Sequence, residues 1–128
     1  ALVAVTFSHP SPARAELRRR TTRSAQEIAS QLSRHFGHAL PQVEYIPAVA
    51  MMGRLRLAAQ TADADVLTDL ERIVRPYYEK GKSSTPKSGS GQSGHLIFAA
   101  LADAAAQDRR GRYVELVRVA ADQMCGEQ

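Results

Sequence analysis

The stretch YIPAVAMMGRLRLAAQTADADVLTDLERIVRPYY, residues 45–78, decides the fold. From Pro47, a well-placed first-turn proline, a helix through AVAMMGRLRLAAQ is apolar on most of its circumference. Such a helix is buried on more than one side and belongs at the centre of the packing. The turn TADAD, 61–65, supplies capping side chains for a second helix, on which Val66, Leu70, Ile73, Val74 and Tyr77 form one face. Two helices joined by so short a turn make an antiparallel α-hairpin. Pro76 has no amide to donate, so the second helix is expected to end or kink there, leaving Tyr77 and Tyr78 at its exit.

Outward from this hairpin the helical spacing continues. On the N-terminal side Ala25, Ile28, Ala29, Leu32 and Phe36 share a face; Thr21, Thr22 or Ser24 can cap its start and Gly37 can take the left-handed stop before Pro41. On the C-terminal side LIFAALADAAAQ predicts a helix from His95, DRRGR a turn, and Tyr113, Leu116, Val117, Ala120, Ala121 and Met124 the face of a last helix. Setting Ala58-Ala59-Gln60 against Ala105-Ala106-Gln107 aligns the two hairpins at a period of about 47 residues, within the range of two-helix repeats. The expected fold is all-α, with about five helices forming stacked antiparallel α-hairpins, short turns at one end and long connections at the other. Residues 1–20 read as an N-terminal segment, extended or processed, and 21–128 as a single all-α domain with a long polar loop at 80–94. The start ALVAVTFSHPSPARA carries a short apolar run and an Ala13-Arg14-Ala15 site but no basic flank, which favours a fragment or processed chain over an uncleaved signal.

Composition agrees. The 128 residues are 44% hydrophobic and 23% charged, ordinary for a globular domain, but only 5% aromatic with no Trp, so aliphatics and Ala must fill the core. Seventeen basic against thirteen acidic side chains give a net charge of +4. Fourteen of the basic residues are Arg, with Arg14, Arg18, Arg19, Arg20 and Arg23 close together and Lys80, Lys82 and Lys87 in the loop. This is a mild excess without interleaved aromatics, which disfavours a nucleic-acid partner and reads first as a solvated surface. One cysteine, Cys125, excludes an intramolecular disulfide, and no apolar run reaches the length of a membrane span.

The polar loop and start of the next helix read GKSSTPKSGSGQSGH, residues 81–95. Gly81-Lys82-Ser83 is not a P-loop, because Pro76 stands where that motif needs its first Gly and no strand precedes it. Gly89, Gly91 and Gly94 lack dinucleotide-binding spacing, and the loop serines do not form a nucleophile elbow. His9, His35, His38 and His95 make no metal signature; His35 and His38 flank Gly37, where binding to the last helical carbonyls accounts for them. No cofactor or metal is called for. Asp63, Asp65 and Asp69 fit capping and solvation, whereas Glu44 sits beside a long connection and is the acid placed like a catalytic group. His95 opens an apolar helix directly after the loop, where an imidazole can donate a proton or bind a substrate. Met51 and Met52 read as core, and Cys125 has no activating base.

The 45–78 hairpin, with its Ala/Leu-rich first helix and Thr61-Ala62-Asp63 turn, resembles the hairpin unit of the (α/α) toroid glycosidases, especially unsaturated glucuronyl and rhamnogalacturonyl hydrolases. HLIFAALADAAAQDRRGRYVELVRVAAD is similar in plan. The resemblance covers about residues 20–125 as a pattern, and where the family has a Thr-Gly-Asp type turn this chain has Ala62. It implies a partial α/α toroid of roughly two and a half of the six hairpins, acting on unsaturated uronic-acid oligosaccharides as part of a larger enzyme. In that family the long connections at one rim line the sugar cleft. The resemblance therefore implies a substrate wall that includes Tyr45, Gln92, Ser93 and His95, with Lys82 and Lys87 facing the sugar carboxylate and Glu44 the candidate acid. The alternative is a noncatalytic helical-repeat bundle whose apolar helix from Pro47 completes its burial against a protein partner, another copy or the rest of a larger chain.

Overall fold

The computed structural model describes residues 11–85 and 93–126, and over these the chain is all-α. Its helices are α1 (Pro12–Thr21), α2 (Ala25–Ser33), α3 (Tyr45–Thr61), α4 (Ala64–Glu79), α5 (Leu96–Ala104) and α6 (Gln107–Gly126), and a 3₁₀ turn over Ser93–His95 leads into α5. Helix α3 is the centre: α2, α4, α5 and the 3₁₀ turn all pack against it. Its small residues permit that crowding, with Ala48 and Met51 fully enclosed and Ala58 nearly so.

The α3–α4 turn closes with Ala62 in the left-handed conformation (φ 54°), a position more often filled by glycine. The Asp63 amide donates to the Ala58 carbonyl at 3.0 Å, and the Asp63 carboxylate caps α4 by accepting from the Asp65 amide at 3.1 Å. Helices α5 and α6 form the second hairpin. Leu70, Val74 and Tyr77 of α4 meet Ile97, Phe98 and Leu101 of α5 and Tyr113 and Leu116 of α6, while Leu40 and Val43 from the α2–α3 connection close one end of the core.

Four details depart from the sequence reading. Helix α4 runs through Pro76 to Glu79. One ladder donor is lost there, but the Tyr77 side chain is buried and its hydroxyl donates to the Leu40 carbonyl at 2.7 Å, which anchors the last turn. The DRRGR segment is not a turn but the first part of α6; the chain reverses at Ala105–Ala106, and Gly111 is simply carried inside the helix. The hairpins therefore correspond at a shorter offset than the alignment of Ala58–Gln60 on Ala105–Gln107. The α2 helix forms as expected, with Ser24 and Glu27 making a reciprocal capping box, yet Ile28 and Leu32 on its face, and Phe36 just beyond its end, are exposed. Lastly, the N-terminal segment contains α1, started by Ser11 and Pro12, polar all round and with no buried residue.

Among the described residues two charged side chains are buried, and each is answered. Arg54 of α3, 8% exposed, donates to the Gly37 carbonyl at 2.7 Å and to Asp69 of α4 at 2.9 Å. Glu71 of α4 accepts from Arg109 of α6 and, at 3.1 Å, from the Tyr113 hydroxyl. Asp69, read from sequence as a solvated acid, is thus half of an interhelical ion pair that Arg72 also joins at 2.6 Å.

Burial by itself would raise the Asp69 pKa, but hydrogen bonds from Arg72 and Arg54 and their positive charges outweigh it and hold the carboxyl below its ordinary 3.8. A carboxyl with a depressed folded pKa contributes stability above its unfolded pKa and loses it as pH falls through the folded value. Urea denaturation should therefore show stability falling from about pH 4 downward. The Asp69→Asn variant should lose about 2 kcal/mol at neutral pH, because Arg54 stays buried with one partner gone, and should show a flatter acid limb.

Candidate functional site

The two ends of the bundle differ. At one end the short turns Thr61–Asp63 and Ala105–Ala106 reverse the hairpins. At the other the N-termini of α3 and α5 and the C-terminus of α4 meet the long connections, and the candidate residues gather at this rim. Glu44 is the N-cap position of α3, in extended backbone (φ −135°), with its side chain exposed. Tyr45 follows, its ring about half exposed (49%). The 3₁₀ turn lies directly against them: a Cβ built on Gly94 would sit 2.7 Å from the Glu44 amide nitrogen. Only a glycine allows Ser93 and His95 to be laid on the start of α3 at that distance.

His95 is buried, 6% exposed, and meets Phe98 edge-on at 5.7 Å between ring centroids. Phe98 in turn meets Tyr77 edge-on at 5.7 Å. Burial raises the Tyr77 hydroxyl pKa to about 12, so it remains a donor to the Leu40 carbonyl across the whole working pH range. Lys82 donates to the same carbonyl at 3.1 Å and stands 4.7 Å from the centre of the Tyr77 ring. Its ammonium is held by the fold while its side chain stays at the surface, so the positive charge has a fixed place at the rim. The start of the loop is tied down as well: Thr85 accepts from Gln123 of α6 at 2.9 Å, and Ser84 is buried.

Of the residues singled out from sequence, Glu44, Tyr45, Lys82, Ser93 and His95 are all found at this end, and Glu44 with Ser93–His95 share the closest approach. Lys87 and Gln92 lie outside the described residues. A second carboxylate at the rim is Glu79, which ends α4 and lies 3.9 Å from Arg75. Phe98 and the Leu40 carbonyl escaped the sequence reading. Phe98 sits one helical turn after His95, which is signal enough for a contact; nothing in the sequence marks the Leu40 carbonyl. His38 behaves as expected of a helix-end histidine, with Nε2 2.8 Å from the Ser33 carbonyl oxygen, and among the described residues no group of acids, histidines and cysteines is arranged to hold a metal ion.

The rim thus joins an imidazole inside a ring cluster, an exposed carboxylate, an exposed phenol ring and a fixed cation. That set can stack on a ligand ring, pair with an anionic group and exchange a proton. No protein-family model matches this chain, and neither a curated protein nor a solved structure is similar to it.

The close approach at Gly94 is a test of the rim. Gly94→Ala should lower stability by about 2 kcal/mol, since the obstructing atoms are α3 backbone and cannot rotate away. Equilibrium denaturation measures it. Gly53→Ala, where a Cβ meets nothing within 4 Å, should be neutral or slightly stabilising through helix propensity.

Proposed function

We propose that this chain is a portion of a carbohydrate-active hydrolase acting on unsaturated uronic-acid oligosaccharides, with the long-connection rim as part of its substrate wall. The observation that carries the reading is the apposition of Glu44 and Tyr45 with Ser93–His95 through the Gly94 contact. In this reading Tyr45 offers its ring to the sugar face, Lys82 faces the uronate carboxylate, Glu44 is the candidate acid, and His95 hydrogen-bonds the sugar and relays a proton. Lys82 supplies the counter-charge for the uronate carboxylate and is already ordered before the ligand arrives.

Calorimetric titration with an unsaturated galacturonide disaccharide tests this. The wild-type chain should bind it, His95→Ala should weaken binding about tenfold, and Glu44→Gln should keep binding while removing any loss of the sugar's conjugated double-bond absorbance. A wild-type chain that releases no binding heat at millimolar sugar rules the reading out.

A second reading, a noncatalytic helical-repeat module that binds protein, is favoured by a separate observation. Ile46 is 78% exposed one turn before Val49 on α3, and Ile28 and Leu32 on α2 and Phe36 just beyond its end stand exposed. These positions suit the side of a neighbouring α-hairpin. Light scattering should then report a mass above that of one 13.9 kDa chain, returning to it in Ile46→Asp or Phe36→Asp. A monomer at every concentration speaks against the module.

A further inference from the structure

The arginines of α1 and of the turn after it are all exposed, and they are not scattered. Arg19, Arg20 and Arg23 face Arg34 across an open cleft of about 1150 Å³ between α1 and α2, whose walls also include Gln26 and Ser30. Two acids share the cleft, and both are engaged. Glu16 accepts from Arg20 at 2.9 Å and pairs with Arg19 at 2.5 Å. Glu27 is used by the α2 cap, accepting from the Ser24 amide at 2.7 Å and from its hydroxyl at 3.0 Å. Both carboxyls are held below their ordinary pKa, Glu16 foremost by its hydrogen bond from Arg20 and Glu27 by that from the Ser24 backbone. Arg23 donates to Gln31, and Arg34 has no ion-pair partner among the described residues. Four guanidiniums against two committed carboxylates leave the cleft positive.

This is an unusual use of residues for a helix. With no buried side chain, α1 gains little from packing, and its charges are dense in one sign, which costs self-repulsion. A bound polyanion would relieve that cost. The cleft is far larger than one sugar or one phosphate needs, so it fits an extended ligand. Its basic residues are all Arg, whose planar forks pair two-to-two with carboxylates, and between them stand hydroxyl and amide side chains of the kind that bind sugar hydroxyls. No aromatic side chain lines it, so it has nothing on which a nucleic-acid base could stack.

We propose that the α1–α2 cleft is an anchoring site for the chain of an acidic polysaccharide, a polyuronate, separate from the rim. The proposal rests on the uronide reading for its ligand class and on different side chains for its evidence. Separation follows from the course of α2. Ser33, the neighbour of the cleft's Arg34, shares a groove with Leu57, Thr61 and Asp63, which sets that wall of the cleft at the short-turn end of α3.

Affinity electrophoresis of the full chain through gels containing polygalacturonate, fully methyl-esterified polygalacturonate or neither tests the site. The expected result is retardation by the acidic polymer only, weakened at high salt, with a loss of affinity of at least about tenfold in R19Q/R20Q/R23Q/R34Q. Glutamine keeps helix propensity and these side chains are outside the core, so far-UV circular dichroism should be unchanged. The R19K/R20K/R23K/R34K variant, which keeps charge but not the forks, should lie between the two. His95→Ala should weaken disaccharide binding about tenfold while retardation by the polymer, held by the cleft, largely persists, so failure of the rim reading and failure of the cleft are read separately. Retardation by the esterified polymer to the same degree, an unaffected quadruple Gln variant, or tighter binding of duplex DNA that the same variant abolishes would each overturn the proposal.

Discussion

Helix α3 has no polar face wide enough to leave in water along its whole length, and the rest of the fold is arranged around that fact. Four elements pack on it. Two of them arrive through glycines whose neighbours are α3 backbone atoms: Gly37, in the left-handed region (φ 79°), against the Ala50 carbonyl group, and Gly94 against Glu44. Any larger residue at either point would hold the connection off the helix and open the core beneath it. The same two contacts fix the geometry of the rim, since the connection through Leu40 and Val43 and the turn into α5 are both placed by how closely they can reach α3.

The hairpins were readable because they depend on local signals. The 3.6-residue spacing of Leu70, Val74 and Tyr77, the Asp63 cap and the continuous apolar character of α3 each act within a few turns of chain. What failed was reading a breaker without its tertiary context. Pro76 and the glycine of DRRGR are weak disruptors when a buried ring or a whole packed face lies next to them, and Tyr77 and Tyr113 supply those. The α2 stripe misled in the opposite sense, because periodicity reports that a face is apolar and not that anything covers it. At the site, the gathering of Glu44, Tyr45 and His95 at one rim followed from hairpin topology alone. The role of Lys82 did not, since its partner is a main-chain carbonyl set by a turn far away in sequence.

Buried charge gives the second level of order. Arg54 and Glu71 are each paired across a helix interface, one tying α3 to α4 and the other α4 to α6. Such pairs add little net stability over apolar residues of similar size, yet a slip of either helix by one turn would strand a charge, so they select register. Arg112 adds a surface tie, standing 4.9 Å over the Tyr78 ring and donating to its hydroxyl at 3.2 Å. Helix α4 is therefore located by polar contacts on one side and by the apolar core on the other.

With those arginines accounted for, the ones on α1 pair only within their own helix, and distance decides how they relate to the rim. The 17 residues of α3 span about 25 Å, and the rim and the arginine cleft lie toward opposite ends of it. Two sugar units are too short to touch both. If both proposed sites take uronides, a small one would occupy only one of them at a time, whereas a polymer would hold to the cleft while a distant segment samples the rim at raised local concentration. Anchoring at the cleft would then raise the apparent affinity for long chains with no change in how the rim recognises a terminal sugar, and short and long uronides would separate two functions that a single ligand would merge.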